Sequence, residues 1–229
     1  WRRLMGMKQI LVMMAVVGCG TTKADSPPPA RNEVDPRAPA NFSDPNVERA
    51  VRQELKKIRV ELPKPEGELT NADLAKLTRL IFGYTEITRE GLNLKDVAKL
   101  QNLTKLGLGG QKITGAGLRE LTKLQNLEQL GLDSTKITDA NLKQVAKLQK
   151  LTWLNLSYTK ITDVGLKELA KLQKLVFLDL QNTKITDAGL KNLVKLKRLE
   201  SLWLYDTKVT KAGVAELKKA LPNCEIAGP

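Results

Sequence analysis

The chain contains no histidine and only two cysteines, Cys19 and Cys224. Histidine-based triads, histidine metal sites and a structural zinc cluster are therefore closed to it. Acidic pairs occur, but none stands with a nucleophile and an adjacent base, so the sequence reads as non-catalytic and without a cofactor. What remains is recognition chemistry. Trp153, Phe177, Trp203 and Tyr205 supply ring faces, Tyr158 a further ring, and Asn155 and Asp179 an amide and a carboxylate. Exposed aromatics among polar neighbours have the composition of a binding hot spot.

Those residues are placed by a repeat. Leu103, Leu127, Leu151, Leu175 and Leu199 fall 24 residues apart, each opening Leu-x-x-Leu-x-Leu and followed by Ile-Thr or Val-Thr. Leu77 opens an earlier unit after a 26-residue interval, with Asn93 and Leu94 or their neighbours read as the extra residues. The segment Asn223-Cys224-Glu225-Ile226 stands as a closing strand. A period in the twenties with this leucine spacing resembles the leucine-rich repeat family. The resemblance implies an α/β leucine-rich repeat solenoid over residues 77–229, with a curved, parallel concave sheet and helices on the convex side. Within it, the motif Ile-Thr-Asp-x-Gly-Leu-x-x-Leu is similar to ribonuclease-inhibitor-like and F-box leucine-rich repeats. The F-box type carries a Cys after the strand where this chain has Thr, and no F-box is visible, so only the fold carries over.

Alternation along a strand assigns the faces. In Leu151 to Ser157, Leu154 and Leu156 point inward while Trp153, Asn155 and Ser157 point outward. Seven strands about 4.8 Å apart give a sheet roughly 29 Å across. Outward positions are small or polar in the amino-terminal units: Arg79, Ile81, Gly83, Lys105, Gly107, Gly109, Gln129, Gly131 and Asp133. In the carboxy-terminal units they are Trp153, Asn155, Ser157, Phe177, Asp179, Gln181, Ser201, Trp203 and Tyr205, with Tyr158, Asn182 and Asp206 forming a rim. The ligand-binding candidates are thus Trp153, Asn155, Tyr158, Phe177, Asp179, Trp203 and Tyr205. A protein or peptide ligand suits them, and so does a glycan, whose sugar faces stack on rings. The competing explanation is that the rings stack on one another and stabilise the sheet.

Other repeat positions read as structural. Thr85, Gln111, Thr135, Thr159, Thr183 and Thr207 follow the strands and can bond the adjoining loop. Thr138-Asp139, Thr162-Asp163 and Thr186-Asp187 place a cap and a negative charge at a helix start. Cys224, beside the core position Ile226, reads as a half-buried cap thiol. Ahead of the repeats, residues 41–76 form an amino-terminal cap: Ser43 or Asp44 caps a helix with Pro45 in its first turn, and Val47, Val51, Leu55 and Ile58 recur at helical spacing. The stretch from Asp44 to Leu77 is similar to the caps of secreted bacterial leucine-rich repeat proteins.

The first 40 residues address a location. Arg2, Arg3 and Lys8 precede the apolar run Ile10 to Val17, the charge order of a secretory signal too short to span a bilayer. Val16-Val17-Gly18-Cys19 resembles a bacterial lipobox, which implies a signal peptide over 1–18, cleavage before Cys19 and lipid on that residue. In lipoproteins Asp after the Cys favours inner-membrane retention; Gly20 stands here, so the resemblance implies an outer-membrane anchor. Trp1 is an unusual first residue, and Met7 is a candidate initiator. Residues 19–40, with Pro27, Pro28, Pro29, Pro36 and Pro39, read as a disordered tether. Its reach runs from roughly 25 Å coiled to about 70 Å extended.

Net charge is +13, or +10 once Arg2, Arg3 and Lys8 are removed with the leader. The charge is spread as repeat lysines without a nucleic-acid motif, so nucleic acid is not the expected partner. Lys112, Lys136, Lys160, Lys184 and Lys208 form a ladder on one edge, which either solubilises the array or attracts anionic lipid or polymer. The expectation is a monomeric, lipid-anchored envelope module that binds a protein or peptide. The alternative is a structural envelope protein holding glycan or anionic polymer.

Overall fold

A computed structural model of the protein describes residues 35–58, 67–82 and 91–229. The chain divides into Trp1–Glu33, wholly outside the described residues, and Val34–Pro229. The leader, Cys19 and Thr85 therefore lie outside them. Among the described residues no helix is long and apolar enough to cross a membrane.

The chain opens with helix α1 (Pro45–Lys57) and one short turn, α2 (Asn71–Leu74), and then alternates strand and helix. The succession is β1 (Arg79–Ile81), α3 (Leu94–Val97), β2 (Lys105–Gly107), α4 (Gly115–Leu121), β3 (Gln129–Gly131), α5 (Asp139–Val145), β4 (Trp153–Asn155) and α6 (Asp163–Leu169). It ends with β5 (Phe177–Asp179), α7 (Asp187–Leu193), β6 (Ser201–Trp203), α8 (Lys211–Ala220) and β7 (Glu225–Ala227). The seven strands pair in sequence order, all parallel, in one open sheet. This is the leucine-rich repeat solenoid that the 24-residue period predicts.

The register keeps that period throughout: Leu106, Leu130, Leu154, Leu178 and Leu202 pair in succession down the middle of the sheet. Behind them one continuous core runs from Val47 to Cys224. Each unit adds the same inward set, as Leu151, Leu154, Leu156, Ile161, Leu166, Leu169 and Leu172, all fully buried, show for the central one. No unit could bury this set alone, so stability comes from stacking. The strands are three residues long, however, and alternation stops at Asn155. Ser157 does not point outward as expected but is buried in the turn that follows.

Helix α1 closes the amino-terminal end of the array. Asp44 is its cap, accepting from the Asn46 N–H at 2.9 Å, with Pro45 in the first turn. Val47, Ala50, Val51 and Leu55 are buried, and the helix packs on β1. Ile58 departs from the expectation: it is the C-cap residue and exposed, because the helix ends at Lys57 before that position turns inward. The lid is pinned from below by Asp96, whose buried Oδ2 accepts from the Ser43 N–H (2.7 Å), the Ser43 hydroxyl (2.9 Å) and the Asp44 N–H (2.8 Å). Burial alone would raise the Asp96 carboxyl. The Lys99 ammonium at 2.7 Å and these donors outweigh it and hold the group below the usual carboxylate range.

Two further boundaries shift. Residues 35–40, assigned by composition to the tether, are folded onto the cap. Ala40 N–H donates to Leu69 O at 2.6 Å, Asn71 N–H to Ala38 O at 3.1 Å, and Ala72 N–H to Pro36 O at 2.9 Å. Proline-rich composition cannot reveal this, because the pairing is mostly through backbone, joined by Asn71 Nδ2 donating to Asp35 O at 2.9 Å and by burial of Ala40. Of the residues read as extra in the first interval, Leu94 is excluded and the neighbours before it are not. Asn93 caps α3, and buried Leu94 holds the helix position that Leu118 holds in the next unit, so the insertion falls between Phe82 and Leu94.

At the far end, Glu225 pairs with Ser201, so the closing strand keeps the period. Cys224 is fully buried, and that burial pushes its thiol up to about 11. It is an inert core residue.

Candidate functional site

The open face of the sheet carries the side chains flanking the central leucines. Trp153 pairs in register with Phe177, and their rings lie parallel, 5.3 Å between centroids and 7° between planes. Trp203 sits one strand further and two residues along the register, opposite Asp179. Its ring meets Phe177 edge-on, 5.1 Å away at 78°. The three rings therefore form one strip across β4, β5 and β6, with Phe177 in the middle. Each such contact is worth about 0.5–1.5 kcal/mol. The stacking explanation is thus geometrically real, but it does not consume the strip: Trp203 is 39% exposed and Tyr205 51%.

Tyr158 stands at the rim with a left-handed backbone, φ 56°, and 58% of its surface open. Ser134 and Asn182, one period away, and Asp206, two periods away, share that conformation, and Gly110 does so in an earlier unit. Their N–H groups step from turn to turn: Gly110 donates to Asp133 O, Ser134 to Ser157 O, Tyr158 to Gln181 O and Asn182 to Tyr205 O, each at 2.9 Å. The ladder demands positive φ at this place. Glycine, Asn and Asp tolerate it, whereas a tyrosine bears a cost of about 1 kcal/mol or more. An exposed ring retained in a conformation it disfavours marks Tyr158 as a recognition candidate.

Two of the polar candidates bond within their own turns. Asn155 Oδ1 accepts from the Ser157 N–H at 2.8 Å and the Ser157 hydroxyl at 2.7 Å. Asp179 accepts from the Gln181 N–H at 2.9 Å and from Gln181 Nε2 at 3.2 Å, and it is only 4% exposed. Both side chains bond the backbone two residues on, which is the Asx-turn arrangement that ends a strand. The sequence signal was present, an Asx two residues before each turn, but outward alternation masked it.

Burial raises the Asp179 carboxyl, and the charge of Asp133 adds to this against the opposing bonds from Gln181 and Ser157. A raised folded value means that the ionised form is disfavoured in the native state. Stability from this group is fullest below the ordinary Asp range near about 3.9 and is lost as pH rises through the folded value. Asp179→Asn keeps the acceptor, as Asn155 shows one strand away, and removes the charge. Thermal melting should find the variant no less stable at neutral pH, by up to a few degrees, with its advantage growing as pH rises from acid. A variant that melts lower than the parent at every pH would show that the charge itself is needed.

Beside Trp153 the face opens into a hollow of about 380 Å³, floored by Gly107, Gly109 and Gly131 and flanked by Ile81, Lys105 and Gln129. Neighbours lean over two of these glycines: a Cβ at Gly107 would stand 3.0 Å from Ile81 Cγ2, and one at Gly109 2.7 Å from Asp133 Oδ2. Sequence reading registered the positions as merely small.

Four of the turn threonines behave as expected. Thr135, Thr159, Thr183 and Thr207 donate to the carbonyls of Leu132, Leu156, Leu180 and Leu204 at 2.6 to 2.7 Å. Thr138, Thr162 and Thr186 cap the helices. The Asp after each cap has a further role that the sequence did not reveal. Asp139 Oδ1 accepts from the Thr162 N–H at 2.8 Å and its Oδ2 from the Thr162 hydroxyl at 2.6 Å, one unit ahead. Asp163 holds Thr186, and Asp187 holds Thr210, in the same way. Each carboxylate lies over a glycine of the next unit, which explains Gly165, Gly189 and Gly213.

A protein-family profile described as leucine-rich repeat matches residues 125–185. Among solved structures, an internalin C2 from Listeria monocytogenes is 24% identical with a TM-score of 0.60, over 84% of this chain and 87% of that one. A second internalin from the same organism, inlF, is 23% identical with a TM-score of 0.60, over 83% of this chain and 58% of its own length. These likenesses show the leucine-rich repeat fold. No curated protein matches the sequence.

Proposed function

We propose that the protein is a non-catalytic, lipid-anchored binding module of the bacterial cell envelope that engages a protein or peptide through the open sheet face. The observation that carries this reading is the aromatic strip of Trp153, Phe177 and Trp203, with Trp203 and Tyr205 exposed beside it. Fixed rings give large contact area at little cost in conformational freedom, and such residues dominate binding energy at protein interfaces. Tyr158 extends the surface at the rim, and the glycine-floored hollow beside Trp153 accepts a protruding partner side chain. With Asn155 Oδ1 and Asp179 bonded within their own turns, the partner meets the rings and the hollow, which Arg79, Lys105 and Asp133 also line.

The test is crosslinked capture from membranes by the full chain, compared with a variant in which Trp153 and Trp203 are alanine. Loss of capture by a variant that still unfolds cooperatively supports the reading.

The anchor rests on the Cys19 motif. Changing Cys19 to Ser should move the protein from the membrane fraction to the soluble fraction. An unchanged distribution would defeat the assignment. The acyl chains on the thiol and the new amino terminus provide the more than one lipid signal that stable anchoring needs.

A further inference from the structure

The repeat builds a second surface that is independent of the sheet face. Lys136, Lys160, Lys184 and Lys208 occupy the same position in four successive units, directly before the Ile-Thr or Val-Thr step, and all four are exposed. The backbone fixes their spacing. Lys184 N–H donates to Ile161 O at 3.0 Å and Lys208 N–H to Ile185 O at 2.9 Å, and the segments form parallel bridges, Thr162 with Lys184 and Thr186 with Lys208. The column lies between the sheet, where units stack about 4.8 Å apart, and the helices, where packed axes lie roughly 8–10 Å apart, so neighbouring lysines are about one such unit step from each other. That is comparable with the screening length of about 8 Å at physiological salt, so each charge feels the next.

The acids that would neutralise this column are committed elsewhere. Asp139, Asp163 and Asp187, three residues along the chain from Lys136, Lys160 and Lys184, give both carboxylate oxygens to the threonines of the following units. Among the described residues none of the four lysines makes a salt bridge, whereas Lys123, Lys171 and Lys219 on the helix side are paired with Glu120, Glu168 and Glu216. Lys143, Lys167 and Lys191 also recur once per unit, but on helices α5, α6 and α7, where packed axes lie roughly 8–10 Å apart. The edge column is the denser line of charge.

We propose that the Lys136–Lys208 column is a binding track for a linear phosphate polymer. A chain of closely spaced phosphates laid along the edge relieves repulsion between lysines that, among the described residues, make no salt bridge of their own. Each phosphate neutralised releases counterions, so affinity falls steeply with salt. The exposed Asp206 near the carboxy-terminal end places the strongest part of the track at Lys136, Lys160 and Lys184.

The experiment uses the full chain and fluorescent long-chain inorganic polyphosphate, with binding followed by anisotropy over a salt series. The parent protein should give a log–log salt slope of about −3, corresponding to four phosphates at about −0.7 each. Changing Lys136, Lys160 and Lys184 together to Gln should weaken binding about tenfold or more and reduce the slope by about 2. The equal-charge control, Lys143, Lys167 and Lys191 together to Gln, should retain most of the affinity. Equal weakening by both triples would overturn the track in favour of general charge. So would binding to vesicles containing anionic lipid without binding to polyphosphate, which would assign the column to a membrane. The Trp153 and Trp203 changes leave this measurement unaltered, so the outcome is separable from that of the sheet face.

Discussion

Replacing Asp139 by alanine is expected to cost about 2–3 kcal/mol, read as a lower midpoint of urea unfolding with an unchanged slope. The carboxylate makes two charge-assisted bonds across the joint between units, to the N–H and the hydroxyl of Thr162. It also sits in the first turn of α5, where a negative charge is favourable by about 0.3–1 kcal/mol. Gly165→Ala should cost a comparable amount through the same joint. A Cβ there would stand 2.5 Å from Asp139 Oδ1 and 2.7 Å from Leu142 Cδ1, and the carboxylate cannot retreat without releasing Thr162. The two changes share one contact and should not add. In the double variant the carboxylate clash is gone while the Leu142 clash remains, so its cost should fall short of the sum by about 1–2 kcal/mol. Strict additivity would show that the clamp and the glycine act separately.

The second large effect concerns binding rather than folding. Removing Trp153 and Trp203 takes away both ring contacts of Phe177, so a stability loss of roughly 1–3 kcal/mol is expected with the leucine core left intact. Capture of a partner should fall at least about a hundredfold, the effect of losing a central aromatic pair at an interface. Tyr158→Gly separates the two consequences. Glycine takes the left-handed conformation at position 158 without penalty, so the variant should be as stable as the parent within about 1 kcal/mol. It nonetheless loses an exposed ring from the rim. Reduced capture by that variant cannot be ascribed to a damaged fold.

The fold was legible because it depends on a period. Leucines at fixed spacing dictate stacking, and every core position from Leu103 to Leu202 could be written down before the structure. Faces were legible for the first two residues of each strand, which is why Trp153 and Phe177 could be placed on the open face and ring stacking stood as the competing explanation. At the strand's end the two-residue rule lapses: Asp179, the last residue of β5, is buried, Ser157 turns inward, and Asn155 and Asp179 bond within their own turns. The clamp from Asp139 to Thr162 was invisible for a different reason. A capping Asp is fully explained by its own helix, and its second role appears only when the next unit is stacked on it. The Asp96 pin under α1 joins residues more than 50 positions apart, which no local pattern reports. The pairing of residues 36–40 is carried by backbone bonds, with the small side chain of Ala40 as its one core contact.

These failures sharpen the candidate surface instead of dissolving it. Once the two Asx side chains are withdrawn, the sheet face offers rings, a glycine-floored hollow and a strained tyrosine at its rim, a surface suited to a protein or peptide. The central claim is that this face, and not the basic edge, captures the envelope partner. The most direct measurement is crosslinked capture from membranes by the full chain, run in parallel with the Trp153 and Trp203 double variant and the Lys136, Lys160 and Lys184 triple variant, with each melting curve recorded. The expected result is capture by the parent and the lysine triple, and none by the tryptophan double despite cooperative melting. Capture retained by the tryptophan double and lost by the lysine triple would contradict the account.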